Sequence, residues 1–500
     1  MKPISPIYIA TFILCVLALL GAGLFITTEQ DEKEGVFIDQ LHIKYPTYAT
    51  FFEHEKAPQI DSVQQTIEQI TTQIQPIEVE KINLGIDSLI THKPNAENKV
   101  SGTIIDFSKI DTTAIQRITY PKDSVKFITS LKKSLSSQYC RIVHYGDSQL
   151  EGDRITGYLR NRLQRMYGGS GPGFIPIKQV YHQISAIVTP SDTWQRHAIF
   201  DRTQKRFQHK KYGLYLSSSR FTPILKDSIS LDTLRETTAK ILIKPSKITY
   251  KKFRAFSSIG LHYTNCTNPV QVSVYTKGQL IQQDSLITDG NYHNFSIDLP
   301  GTPSDLNIEL TGKISPDFYG ITLDGKTGVQ IDNVAMRGAS GTLFTKTNAA
   351  DFKHMVKELN PKIMMLQFGG NTVPYIKDSI AVNNYTNTIK RQINWLRHHK
   401  PSIDFIFIGP TDLATSINGN MTTYELLPYL NQKLKEVCYN NNVAYWDMFQ
   451  AMGGKNSISH WVNEGLVGGD YVHFTPKGTK YISELFFTAL YLDLKPNSIQ

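Results

Sequence analysis

The chain has 500 residues, 40% of them hydrophobic and 19% charged, and a formal net charge of +9 at pH 7. At roughly 150 residues per domain this length is enough for two or three domains, and so ordinary a composition excludes both wholesale disorder and a polytopic membrane protein. Cys15, Cys140, Cys266 and Cys438 are too far apart for a metal or redox motif, and no disulfide scaffold is expected, although a single bridge stays open.

In chain order, the first feature is the uncharged run IYIATFILCVLALLGAGLFI from Ile7 to Ile26. About 20 apolar residues rising 1.5 Å each span a bilayer core, so residues 1–27 read as a membrane anchor. Lys2 before the run and Glu29, Asp31 and Glu32 after it place the N-terminus inside and the rest outside. A cleaved signal peptide is the alternative, and export follows either way. The expected location is the cell envelope, with one inner-membrane pass and the rest of the chain on the periplasmic side. Residues 28–110, rich in Gln, Thr, Glu and Ile, read as a stalk with a helix near Ser62 to Gln75.

From about Asp111 short apolar runs alternate with amphipathic stretches, the pattern of a parallel α/β sheet. RIVHYGDS predicts a strand over Arg141–Tyr145 and a helix over Glu151–Met166. Between about Thr189 and Thr327, runs such as SIGLHYTN and YHNFSIDL are broken by Gly, Asn and Pro, which is antiparallel hairpin grammar. The expectation is an α/β domain split into 111–188 and 328–500, with a β-sandwich inserted at 189–327. The sheet resumes with VQIDNVAM before the small-residue loop Arg337 to Gly341. Further strands end at Gly369, Pro410 and Asp447, with helices over Tyr385–His398 and from Pro476 to about Leu492. Right-handed crossovers bring these strand ends to one edge, where open α/β sheets bind ligands.

Chemistry-bearing residues gather at that edge. Gly146-Asp147-Ser148 follows the first strand, Gly341 the second and Gly369-Gly370-Asn371 the third, while Asp470-Tyr471-Val472-His473 precedes the last helix. A serine at a helix start, with a histidine oriented by an acid three residues before it, has the parts of a nucleophile and its base. Glycine N–H groups and an asparagine amide nearby supply donors for an oxyanion. In this order the four motifs resemble the blocks of the SGNH/GDSL hydrolases. The resemblance implies a flavodoxin-like three-layer fold, Ser148, Asp470 and His473 as catalytic triad, and Ser148, Gly341 and Asn371 around the oxyanion. It requires no cofactor and no metal. Gln149 stands where the eponymous motif has Leu. The insertion, GGSGPGF at Gly168–Phe174 and GPTD at Gly409–Asp412 resemble, more loosely, the peptidoglycan O-acetylesterase and O-acetyltransferase branch, whose inserted module is similar to carbohydrate-binding sandwiches.

That resemblance implies an esterase acting on an acetylated envelope glycan. Two alternatives stay open: an O-acetyltransferase fed by a polytopic membrane-bound O-acyltransferase partner, and a catalytically inactive glycan-binding protein. Gly320 to Thr327 fits GxxxxGK[ST] letter for letter, but its β-branched middle and Asp-Gly turn predict a hairpin, and no nucleotide or nucleic acid is expected as partner. The cationic runs Lys205–Lys211 and Lys244–Arg254 read as solvated faces that suit an anionic polymer less specifically. His398-His399 is expected to be exposed on a helix's last turn.

Overall fold

The computed structural model describes residues 7, 11–17, 36–38, 41–43, 62–78, 111–225 and 230–495. Residues 66–500 form one unit and residues 1–65 another. Of the expected anchor only Ile7 and residues 11–17 are described, as helix. The remainder lies outside the described residues, among which no helix is long and apolar enough to cross a membrane.

Most of the expected stalk also lies outside them, and its described part is not a free linker. Helix α1 (Ser62–Gln73) buries Ile67 and Ile70, and Ile74 follows on the same stripe. Isoleucines spaced i, i+3, i+7 make an apolar face that needs cover. The Ile77 N–H donates to the Tyr158 hydroxyl at 2.9 Å, and Tyr481 donates to the Thr71 carbonyl at 3.3 Å.

Five parallel strands form the central sheet: β1 (Tyr139–Gly146), β2 (Gly328–Ala335), β3 (Ile363–Gln367), β4 (Asp404–Ile408) and β5 (Ala444–Trp446). Their spatial order is 2-1-3-4-5, the flavodoxin-like order that the motifs implied. Both faces are covered, so the strands are nearly continuous apolar runs. Alternate residues divide between the faces. Val143, Tyr145, Met364, Leu366, Phe405 and Phe407 join one core with α4 (Ala349–Leu359), α5 (Ser379–His399) and α6 (Leu427–Asn440). On the other face are α2 (Ser124–Leu135), α3 (Arg154–Tyr167) and α7 (Pro476–Leu494), where His144 meets Thr156 at 2.9 Å and Trp446 packs edge-on against Phe486.

Between α3 and β2 the chain builds two antiparallel sheets that share one core, with Ile241, Val272 and Ile308 from one and Leu261, Phe318 and Ile321 from the other. Strands Gly173–Ile175 and Ala186–Pro190 already belong to these sheets, so the insertion begins earlier than the expected Thr189. The glycines of GGSGPGF explain the difference. A Cβ on Gly169 would sit 2.4 Å from the Val329 carbonyl oxygen and one on Gly173 2.5 Å from that of Ile331, so this segment lies backbone against backbone on β2. Gly320–Thr327 is not a hairpin: Asp317–Asp324 ends in an antiparallel sheet, β2 starts in the parallel one, and the turn between them hands the chain across.

A buried charge cluster fastens this seam. Arg141 on β1 donates to Asp332 on β2 at 2.6 Å and to Asp324 at the end of the antiparallel strand. Asp332 also accepts from the Tyr215 hydroxyl at 2.9 Å and the Phe174 N–H at 3.0 Å. All three charged side chains are buried, and removing one partner of such a group strands the others in low dielectric. Arg141→Met is expected to lower the unfolding free energy by about 3–5 kcal/mol, read from urea denaturation. A loss below about 1 kcal/mol, the scale of an exposed pair, would mean the cluster does not hold the seam.

Candidate active site

Ser148 stands two residues past the β1 terminus Gly146, where a Cβ would meet the Leu150 side chain at 2.7 Å and force it to shift. The expected helix from Glu151 starts instead at Arg154. Ser148 to Asp153 is a 3-10 turn interrupted at Glu151 and Gly152, whose first turn is capped by Asp147 accepting from the Gln149 N–H at 3.0 Å. Asp153 takes a left-handed backbone conformation and is held, fully buried, by Arg160 at 2.6 and 3.1 Å.

His473 arrives on the loop before α7. Gly468 N–H closes the loop on the His473 carbonyl at 2.9 Å, and Asp470 Oδ1 accepts from the Val472 and His473 N–H groups at 3.0 Å each. This leaves Asp470 Oδ2 2.7 Å from His473 Nδ1, and His473 Nε2 2.9 Å from Ser148 Oγ. Burial pushes the Asp470 carboxyl up, but the His473 backbone and side chain and the Val472 N–H outweigh it and hold the group below its ordinary value. A hydroxyl, an imidazole and an ionised carboxylate linked in this way can move the serine proton to Nε2.

Two tethers not anticipated from the sequence fix the imidazole. Gln149 Nε2 donates to the Val472 carbonyl at 2.6 Å, and Arg154 Nη1 donates to the Phe474 carbonyl at 2.9 Å. The carbonyls on either side of His473 are thus tied to the segment that follows Ser148. The sequence signal was Gln149 itself, a polar residue where the related motif has leucine.

Asn371 follows β3 at the switch point of the strand order, beside Ser148. Its Nδ2 donates to Asp147 Oδ2 and to the Ala339 carbonyl, each at 3.2 Å. Gly369 adopts φ +130, and a Cβ there would lie 2.9 Å from Pro410. Gly341, expected near the oxyanion, is buried with φ +72 against the Phe368 ring, 2.7 Å from its would-be Cβ. It does not line the cleft of about 210 Å³ that Ser148 shares with Asp147, Gln149, Phe368, Asn371, Tyr375 and Pro410. Asp412 of GPTD is structural, accepting from Thr423 Oγ1 at 2.8 Å and the Ile458 N–H at 2.9 Å. His398 is exposed and His399 packs edge-on against Trp395. No group of His, Cys, Asp or Glu among the described residues could hold a metal ion, and the four cysteines are free.

Residues 308–481 match the family described as GDSL-like Lipase/Acylhydrolase. Over that span the chain carries a GDSL-like acylhydrolase domain, the domain of a carboxylic ester hydrolase. Its architecture resembles that of a peptidoglycan O-acetylesterase, at TM-score 0.57 and 18% identity over 75% of this chain and 98% of that one. An acetyl xylan esterase aligns at TM-score 0.26 and 13% identity over 32% of this chain and 81% of its own. A carbohydrate esterase family 2 enzyme with a carbohydrate-binding domain, from Corynascus thermopiles (Myceliophthora fergusii), aligns at 0.27 and 15% over 52% and 96%. No curated protein matches the sequence. Ser148 lies outside the matched span because the inserted sheets separate β1 from the other four strands.

Two outcomes follow from this geometry. Burial pushes the Asp147 carboxyl from its ordinary 3.8 up to about 6, against the Gln149 N–H and the charge of His473. A group raised on folding contributes stability that is fully present below about pH 4 and lost as pH rises through about 6. Asp147→Asn is therefore expected to gain about 2–3 kcal/mol over wild type at pH 8 while losing turnover, because Asn371 loses its charged acceptor. Equal pH–stability curves for the two proteins would refute the raised carboxyl. Gln149→Leu is expected to cut kcat about tenfold with KM nearly unchanged, since a small misplacement of a reacting group is costly. A change confined to KM would show that the tether does not position His473.

Proposed function

We propose that this chain is an exported, membrane-anchored esterase that removes O-acetyl groups from a cell-envelope glycan, with peptidoglycan as the first substrate to try, through an acetyl-serine intermediate. The observation that carries this reading is the hydrogen-bonded chain from Ser148 through His473 to Asp470 beside a cleft. The substrate class is supported by the peptidoglycan O-acetylesterase whose chain is covered over 98% of its length. The anchor rests on the uncharged run Ile7–Ile26.

In this mechanism His473 Nε2 takes the Ser148 proton as Oγ attacks the acetyl carbonyl. The oxyanion draws on the Ser148 N–H and on Asn371 Nδ2, both at the cleft that Gly341 does not reach. Both Asn371 hydrogens are engaged in the free protein, by Asp147 and by the Ala339 carbonyl. The neutral carbonyl is the weaker acceptor and is the one exchanged for the developing negative charge. The imidazolium then protonates the departing sugar oxygen, leaving acetyl-Ser148. Water, deprotonated by His473, attacks this ester and releases acetate.

The full chain should release acetate from O-acetylated peptidoglycan. Ser148→Ala and His473→Ala should each lose about 10⁴-fold or more in kcat, and Asn371→Ala about 10²- to 10³-fold. Retention of wild-type turnover by Ser148→Ala would overturn the triad. Chito-oligosaccharide added with an activated acetyl donor gives the second arm. Acetylated sugar formed at the expense of acetate would make the chain a transferase instead.

A further inference from the structure

A second cleft, of about 400 Å³, adjoins the first and shares Asn371 and Tyr375 with it. Its far wall comes from the inserted region, with Arg196, Phe200, Asp201 and Arg202, and its near wall from Arg337 and Gly338 after β2. The charges in it are not equally committed. Arg337 is paired with Glu151 at 2.9 Å, and Asp201 accepts from the Thr203 N–H and hydroxyl at 2.9 and 2.7 Å. Arg196 has no carboxylate within ion-pair distance among the described residues. Among the described residues its side chain makes one hydrogen bond, a long one of 3.4 Å to Ser217 Oγ, and its Nε is buried without a partner. The guanidinium lies 5.5 Å from the Phe200 ring centroid. Burial lowers its pKa to about 10, with Asp201 and Glu151 pulling the other way, so it is still a cation at neutral pH. Arg202 beside it is exposed.

A half-buried guanidinium with unused donors is costly unless an acceptor completes it, and its planar fork matches a carboxylate. At the junction of the two clefts Tyr375 is 79% exposed, an aromatic face open to a sugar ring next to Asn371. We propose that this groove is a subsite for a carboxylate on the glycan: Tyr375 supports a sugar ring at the junction, and Arg196, assisted by Arg202, holds the acid group. The proposal rests on the esterase reading for its glycan and narrows the substrate to acidic O-acetylated glycans. The carboxylate belongs either to an ether-linked acid or peptide on an amino sugar, or to a uronic acid.

Binding separates this proposal from the chemistry. Full-length Ser148→Ala protein is titrated calorimetrically with three oligosaccharides of equal length: a muramyl-peptide glycan, a uronate glycan and neutral chito-oligosaccharide. One acidic ligand should bind about tenfold or more tighter than the neutral one, about 1.4 kcal/mol, and whichever acid does so identifies the source. The preference should fall about tenfold when Arg196→Gln is added, return in part with Arg196→Lys, and weaken with salt. Arg202→Gln, at an exposed position, gives a variant whose folding is not in question and should reduce the same preference. Equal affinity for all three ligands, or a preference untouched by both glutamine variants, would overturn the subsite. Acetate release by wild-type protein is measured alongside. Its absence together with an intact charge preference would remove the esterase reading and leave the subsite standing.

Discussion

Arg141 sits on the strand that delivers Ser148, and its guanidinium joins two neighbouring strands of the parallel sheet to a strand of the insertion. Asp332 belongs to the neighbouring parallel strand, Asp324 to an antiparallel strand of the insertion, and Tyr215 and Phe174 close the cluster through Asp332. Apolar contacts alone would let two sheets of different type slide, because they are non-directional. Donors and acceptors buried at fixed positions do not permit a slip, since each step would leave a charge unpaired. The parallel sheet, the insertion and the Ser148 turn are therefore held in one arrangement, and the glycine-lined segment against β2 fits only because no side chain intervenes.

The same economy governs the active edge. His473 is held by its own loop through Asp470 and by the segment after Ser148 through Gln149 and Arg154. Asp147 is buried beside them at the expense of its ionisation, and in return orders both the Gln149 N–H and the Asn371 amide. Stability is given up where orientation is needed, a common arrangement at reactive sites.

Much of this was legible in the sequence. The five strands and the order of the four motifs could be read because buried parallel strands are uninterrupted apolar runs, because the first three motifs each follow one of them, and because the fourth precedes a long helix. What escaped depended on contacts between distant residues. The apolar stripe of Ile67, Ile70 and Ile74 was visible as a helix, but not the surface that covers it. The Gly320–Thr327 segment has the composition of a hairpin, yet its two flanking strands pair with other partners and in different sheets. Short helices such as α2 and α4 went unread although Phe127, Leu131 and Leu135 keep helical spacing. Gln149 looked like a neutral departure until its amide was seen at the Val472 carbonyl.

The order in which the parts of the site occur along the chain has a consequence for how it is made. Ser148 and His473 are 325 positions apart, which at bacterial or eukaryotic translation speeds of about 5–20 residues per second is an interval of roughly 16–65 s. Through that interval the growing polypeptide carries Ser148 without His473 beside it. The two side chains come together only when α7 has been synthesised and has brought its preceding loop onto the sheet. On the esterase reading, a product that stops before α7 is inert toward esters, so the distance between the two motifs acts as a safety catch on the serine.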